Sequence, residues 1–156
     1  MNSAQEPFIQ DWQQLVDDLN QLLRLKAIPI GMKLFASVEE MEAIPKIRRP
    51  EGPVLLDQVV GQAARLGWTV GVTAENLMVQ CAAIVGLHPQ DEEWLSGLPM
   101  KGVWFETEAD AAAHQRALDV VPFGRYQALA VAPLASGRLN PPDVCLIYGT
   151  PGQMIL

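Results

Sequence analysis

The segment Gly149-Thr150-Pro151-Gly152-Gln153 closes an apolar run, and its residue types suit ligand capture. At the carboxyl ends of strands in open α/β sheets, free backbone amides hold an anion or a carbonyl. Gln153 adds a donor and an acceptor in one side chain, and Tyr148 stands just before the turn. Turn geometry alone would also account for both glycines. No P-loop lysine follows and no Gly-x-Gly-x-x-Gly occurs, so no nucleotide fingerprint is present.

Glu75 follows the β-leaning segment Trp68–Val72 and could act there as a general base or ligand contact. The competing reading makes Thr73 the N-cap of a helix from Ala74 to about Val85, with Glu75 favoured by the positive end of its dipole. Lys33 sits inside an apolar strand. A buried ammonium is costly, so Lys33 either pairs, with Glu75 as the candidate, or snorkels to water; a lysine with a lowered pKa could bind a carboxylate or form a Schiff base.

Cys81 and His88 are the weak candidates for metal ligation. The apolar neighbours Val79, Ala82, Ala83 and Ile84 point to a core role for Cys81, and Cys145 is expected to be core as well. His88 lies between Leu87 and Pro89 in a loop, where function concentrates. His114 reads as a surface residue. Arg125 could clamp an anion or join a surface ion pair. With two cysteines in all, a zinc site of thiolates alone is excluded. No motif names a cofactor.

These residues need a scaffold. Phe8, Trp12, Leu15, Leu19 and Leu22 recur at helical spacing and predict a first helix over about Ile9–Leu25. Ile28–Phe35 reads as a strand whose start is set by Pro29. Ser37 and Glu40 form a capping-box pattern for a short helix that Pro45 ends. Arg48–Pro53 reads as an ordered loop with the densest positive charge in the chain. A helix over Val54–Leu66 is closed by Gly67, and Gly86 stops the one after it. Asp91-Glu92-Glu93 suits the first turn of a short helix, and Thr107 caps another over about Glu108–Val120.

Ala128–Pro133 and Val144–Tyr148 are continuous apolar runs, as in strands buried on both faces. The expectation is that they lie side by side in an interior β-layer, with the glycine corner beyond them facing a cavity. The chain ends on an apolar residue soon after that corner, which predicts either a further half-turn of helix or a missing C-terminal portion.

The whole reads as one α/β (or α+β) domain over residues 1–156, with a roughly four-stranded mixed sheet flanked by five or six helices. Of 156 residues, 49% are hydrophobic, enough for a substantial core. Eleven Lys and Arg against 18 Asp and Glu give a net charge of −7, which disfavours a nucleic-acid partner. No stretch approaches the roughly 20 apolar residues of a membrane span, and the first residues lack the features of a secretory signal. Unpaired thiols suit a reducing, cytoplasmic setting.

Four segments carry a family resemblance: Pro29–Leu34; Trp68–Asn76, with its Thr-Ala-Glu-Asn close to Thr-Ala-Glu-Asp; Ala128–Leu134; and Pro142–Met154, with Pro-Asp, an apolar strand and Gly-x-Pro-x-Gln-x-Met. Together they resemble the domain of unknown function 169 family, a group of conserved archaeal and bacterial proteins, over about Leu25–Leu156. The resemblance implies no activity. It implies cysteines at the start of the second long helix and after the Thr-Ala-Glu motif, where this chain has Asp57 and Met78-Val79-Gln80-Cys81. It also implies a longer C-terminal part.

The functional expectation is a cytoplasmic protein that binds a small ligand or cofactor at strand carboxyl ends near Gly149–Gln153, with Lys33, Glu75, Tyr148, Gly149, Gly152 and Gln153 as site residues. The alternatives are a metal- or redox-cofactor-dependent enzyme, and a non-catalytic subunit of a homo-oligomer or larger complex.

Overall fold

Pro29 fixes the chain just before Ile30, and from there alternate side chains divide between two apolar layers. The computed structural model describes residues 11–155. Helix α1 (Trp12–Leu23) begins at Asp11, whose carboxylate accepts the Gln14 N–H, and ends at Arg24 in the left-handed region. Val16 is its buried residue, whereas Leu22 is 69% exposed. The inward stripe is therefore Trp12, Leu15, Val16, Leu19 and Leu23, with Leu22 of the expected stripe turned outward. Phe8 and Ile9 lie outside the described residues.

Strand β1 (Ile30–Phe35) leads to α2 (Val38–Glu42), capped by the Ser37 hydroxyl. Next come β2 (Ile47–Arg48), α3 (Leu56–Leu66, closed by Gly67), β3 (Thr69–Thr73), α4 (Val79–Ile84), α5 (Glu92–Ser96) and α6 (Glu108–Ala117). Asp91 caps α5 and Thr107 caps α6, as their residue types predict. The chain then forms β4 (Ala128–Pro133), β5 (Val144–Leu146) and the single turn α7 (Pro151–Met154). No helix among the described residues is long and apolar enough to cross a membrane.

The α/β class is as expected, with five strands rather than four, in the order β2-β3-β4-β1-β5. The additional strand is β2, two residues long and parallel to β3; the other pairings are antiparallel. Ala128–Pro133 is a central strand, buried along nearly all its length. Val144–Leu146 is not. It lies at the sheet edge, separated from β4 by β1, and Val144 and Cys145 are exposed. An apolar run does not reveal its neighbours, and these two runs share only β1.

The two faces of the sheet differ in bulk. Ile30, Met32, Val70, Val72, Leu129 and Val131 form one layer with Val59, Val60 and Ala63 of α3. The opposite layer is built on Ala128, Ala130 and Ala132, packed with Phe35, Met41 and Ile44. Gly71 shows how close this second layer comes. A Cβ there would stand 2.5 Å from Met41 Sδ and 2.6 Å from Ile47 Cδ1, so any larger residue has to displace both side chains.

A second correction concerns Thr73, which ends β3 and caps no helix. Asn76 Oδ1 accepts both the Thr73 backbone N–H (2.9 Å) and its hydroxyl (3.1 Å), a local closure that competes with helix initiation. Residues 76–78 then run beside Val54, with Val54 N–H donating to Asn76 O and Met78 N–H to Val54 O. The helix waits until Val79.

Candidate functional site

Registers Phe35↔Ala128 and Thr73↔Ala128 bring the carboxyl ends of β1 and β3 to the start of β4. Parallel pairing brings the end of β2 to the same side. A cavity of about 580 Å³ opens there. Thr73, Ala74 and Glu75 form one side of it, Arg49 another, and the loop carrying Phe123, Gly124, Tyr126 and Gln127 a third. Val38 and Leu87, from the two different core layers, add apolar lining. The loop is pinned by the Gln127 N–H, which donates to Phe35 O at 2.9 Å.

Arg49 is a fixed wall. Its Nη1 donates to Glu42 Oε1 at 2.7 Å, and its Nη2 to Thr73 Oγ1 (3.2 Å) and Asn76 Oδ1 (3.1 Å). Its Nε has no partner and is shielded from solvent. Glu75 is exposed at the cavity and joins no ion pair among the described residues. On the loop, the Arg125 guanidinium lies over the Tyr126 ring, 5.2 Å from its centre.

The Gly149–Gln153 segment lies at the other end of the sheet, because β5 runs antiparallel to β1 and leaves it beside Ile30. The side chains of Thr150 and Gln153 are engaged within the chain. Gln153 Nε2 donates to Leu23 O (2.9 Å) and Arg24 O (2.5 Å), satisfying carbonyls at the end of α1. Gln153 Oε1 accepts the Thr150 N–H at 2.9 Å. Met154 fills the corner, its Sδ 2.7 Å from where a Gly149 Cβ would stand. Gly149, Gly152, Gln153 and the half-exposed Tyr148 thus stay together, while Glu75 is at the opposite end. Lys33 joins neither group. Its Nζ donates to Pro141 O at 3.0 Å, and no ion pair to Glu75 forms.

The sequence model of one protein family, DUF169, described as uncharacterised ArCR, matches residues 18–156. The chain belongs to this family. No curated protein and no solved structure matches it. The segments that resemble the family map onto β1, β3, β4 and the β5–α7 unit.

The Leu56 N–H beside Asp57 points to Cys81 Sγ at 3.5 Å, across the α3–α4 contact. Cys81 is half-buried there. His88 Nδ1 contacts Pro89 O at 2.8 Å and lines a separate cavity of about 340 Å³ with Gln80, Asp91 and Trp94. Asp91 uses its carboxylate on the Trp94 N–H. Among the described residues, no group of three or more His, Cys, Asp and Glu could hold a metal ion. Cys145 is exposed rather than core, since its strand is an edge, yet local desolvation pushes its thiol up.

The sequence singles out Glu75 but not Arg49, Phe123, Tyr126 or Gln127, which line the same cavity. The usable signal was positional: the basic loop after Ile47 and the aromatic loop before Ala128 both flank strand ends.

Proposed function

We propose that this DUF169 protein binds a small organic ligand in the cavity at the carboxyl ends of β1, β2 and β3. The observation that carries the reading is the cavity itself, about 580 Å³ with both apolar and polar residues in its lining. Small-molecule sites span roughly 300–1,000 Å³ and have that mixed lining. Among the residues expected to bind ligand, Glu75 belongs to this cavity; the Gly149–Gln153 segment supports the fold at the far end of the sheet. A cytoplasmic setting goes with the reading, because Cys81 and Cys145 are both free thiols.

Ala74 lines the cavity from an exposed turn, so a larger side chain there fills space without opening the core. Native mass spectrometry of the purified chain is expected to show a small molecule bound to the wild type and absent from Ala74→Trp. Retention of that molecule by the variant, at unchanged melting temperature, would place binding elsewhere.

A second reading, a subunit that docks on a partner, draws on Val103 and Trp104, which are 70% and 74% exposed beside the α5–α6 pair. Apolar residues so exposed are frequent at contact surfaces. Sedimentation of the lone chain tests it: this reading expects self-association, and a stable monomer at high concentration opposes it.

A further inference from the structure

We infer that the ligand of this cavity is an organic cation, an ammonium group on an apolar body, with its charge held between Glu75 and the ring of Phe123. The inference rests on the small-ligand reading and names the class of ligand. It begins with the charges that line the cavity. Arg49 is paired with Glu42 at 2.7 Å, its Nη2 is committed to Thr73 and Asn76, and its Nε is closed off. Its positive charge is therefore largely spent within the protein. Glu75 is the opposite case, exposed at the cavity without an ion-pair partner among the described residues.

The same cavity is lined by the aromatic residues Phe123 and Tyr126. Phe123 is 59% exposed, so much of its ring remains uncovered in the free protein. The Tyr126 ring already carries the Arg125 guanidinium at 5.2 Å, which leaves Phe123 as the uncovered ring of the pair. Ring faces carry negative electrostatic potential, and a carboxylate in the same cavity adds a full charge of the same sign. An ammonium entering this corner meets both, while its apolar body packs on Val38 and Leu87. The net charge of −7 favours the approach of cations over anions from a distance. Among the residues lining the cavity, an anionic ligand would meet only the spent Arg49; Arg125, exposed on the same loop, lies over the Tyr126 ring.

The test uses three probes of similar size and different charge: 2-phenylethylammonium, 2-phenylethanol and phenylacetate, titrated into the full chain and followed by NMR. The ammonium is expected to bind about tenfold tighter than the alcohol, with phenylacetate weakest. Glu75→Gln, a change on an exposed turn, is expected to lower affinity for the ammonium about tenfold and for the alcohol less than about twofold. If the alcohol or phenylacetate binds as tightly as the ammonium, or Glu75→Gln leaves ammonium binding unchanged, the cation assignment falls and the cavity still stands as a ligand site. If none of the probes binds, or Ala74→Trp displaces none of them, the ligand reading falls as well.

Discussion

Arg49 Nη2 donates to the hydroxyl of Thr73 at 3.2 Å, joining the chain leaving β2 to the last residue of β3. Through Nη1 the same guanidinium also holds Glu42, the last residue of α2. One planar side chain thus spans three elements around the cavity, a geometry that a lysine ammonium does not reproduce.

Arg49→Ala is therefore expected to lower unfolding free energy by about 1.5–3 kcal/mol, the range for hydrogen bonds to a charged group. Arg49→Lys should recover only part of this. Urea unfolding measures both. A change under about 0.5 kcal/mol in the alanine variant, the usual range for surface substitutions, would show that the clamp is dispensable.

Gln153 gives a contrasting expectation. Its carboxamide closes the ends of α1 and α7 upon each other, at the far end of the sheet from the cavity. Gln153→Ala is expected to cost about 1 kcal/mol of stability and to leave binding of the 2-phenylethylammonium probe unchanged. Lost affinity at an unaltered melting temperature would return the glycine turn to consideration as the site.

Cys145 supplies a pH dependence. Desolvation raises its thiol above the ordinary cysteine value, so at a given pH the folded chain holds less thiolate than the unfolded one. The sign follows: the associated stability is present below the unfolded pKa and is lost as pH rises through the folded one. In a Cys81→Ala background, alkylation by iodoacetamide should reach half its limiting rate at higher pH than in urea-unfolded chain. Coincident profiles would contradict this.

Local rules are enough for much of the scaffold. Asp91 and Thr107 each precede the helix they cap, and Ala128–Pro133 has the unbroken apolar run of a strand covered on both sides. Thr73 shows where such rules compete: a threonine before Ala-Glu-Asn resembles an N-cap until Asn76 turns its own side chain back onto it. Val144–Tyr148 fails differently, because whether a strand is central or marginal depends on the order of strands far apart in the chain. The cavity is hidden for the same reason. Glu75 could be found from its place after an apolar strand, but Arg49 and Tyr126 come from loops that meet it only after the sheet assembles.

The unequal bulk of the two sheet faces leaves them unequal room to diverge. Where Val70, Val72 and Val131 meet α3, a lost or gained methyl group can be offset by a neighbour of complementary size. Beneath Gly71, with Ala128 and Ala130 alongside, there is little smaller to fall back on and little space to grow. Variation among relatives should therefore gather on the valine side, leaving the alanine side as the steadier record of descent.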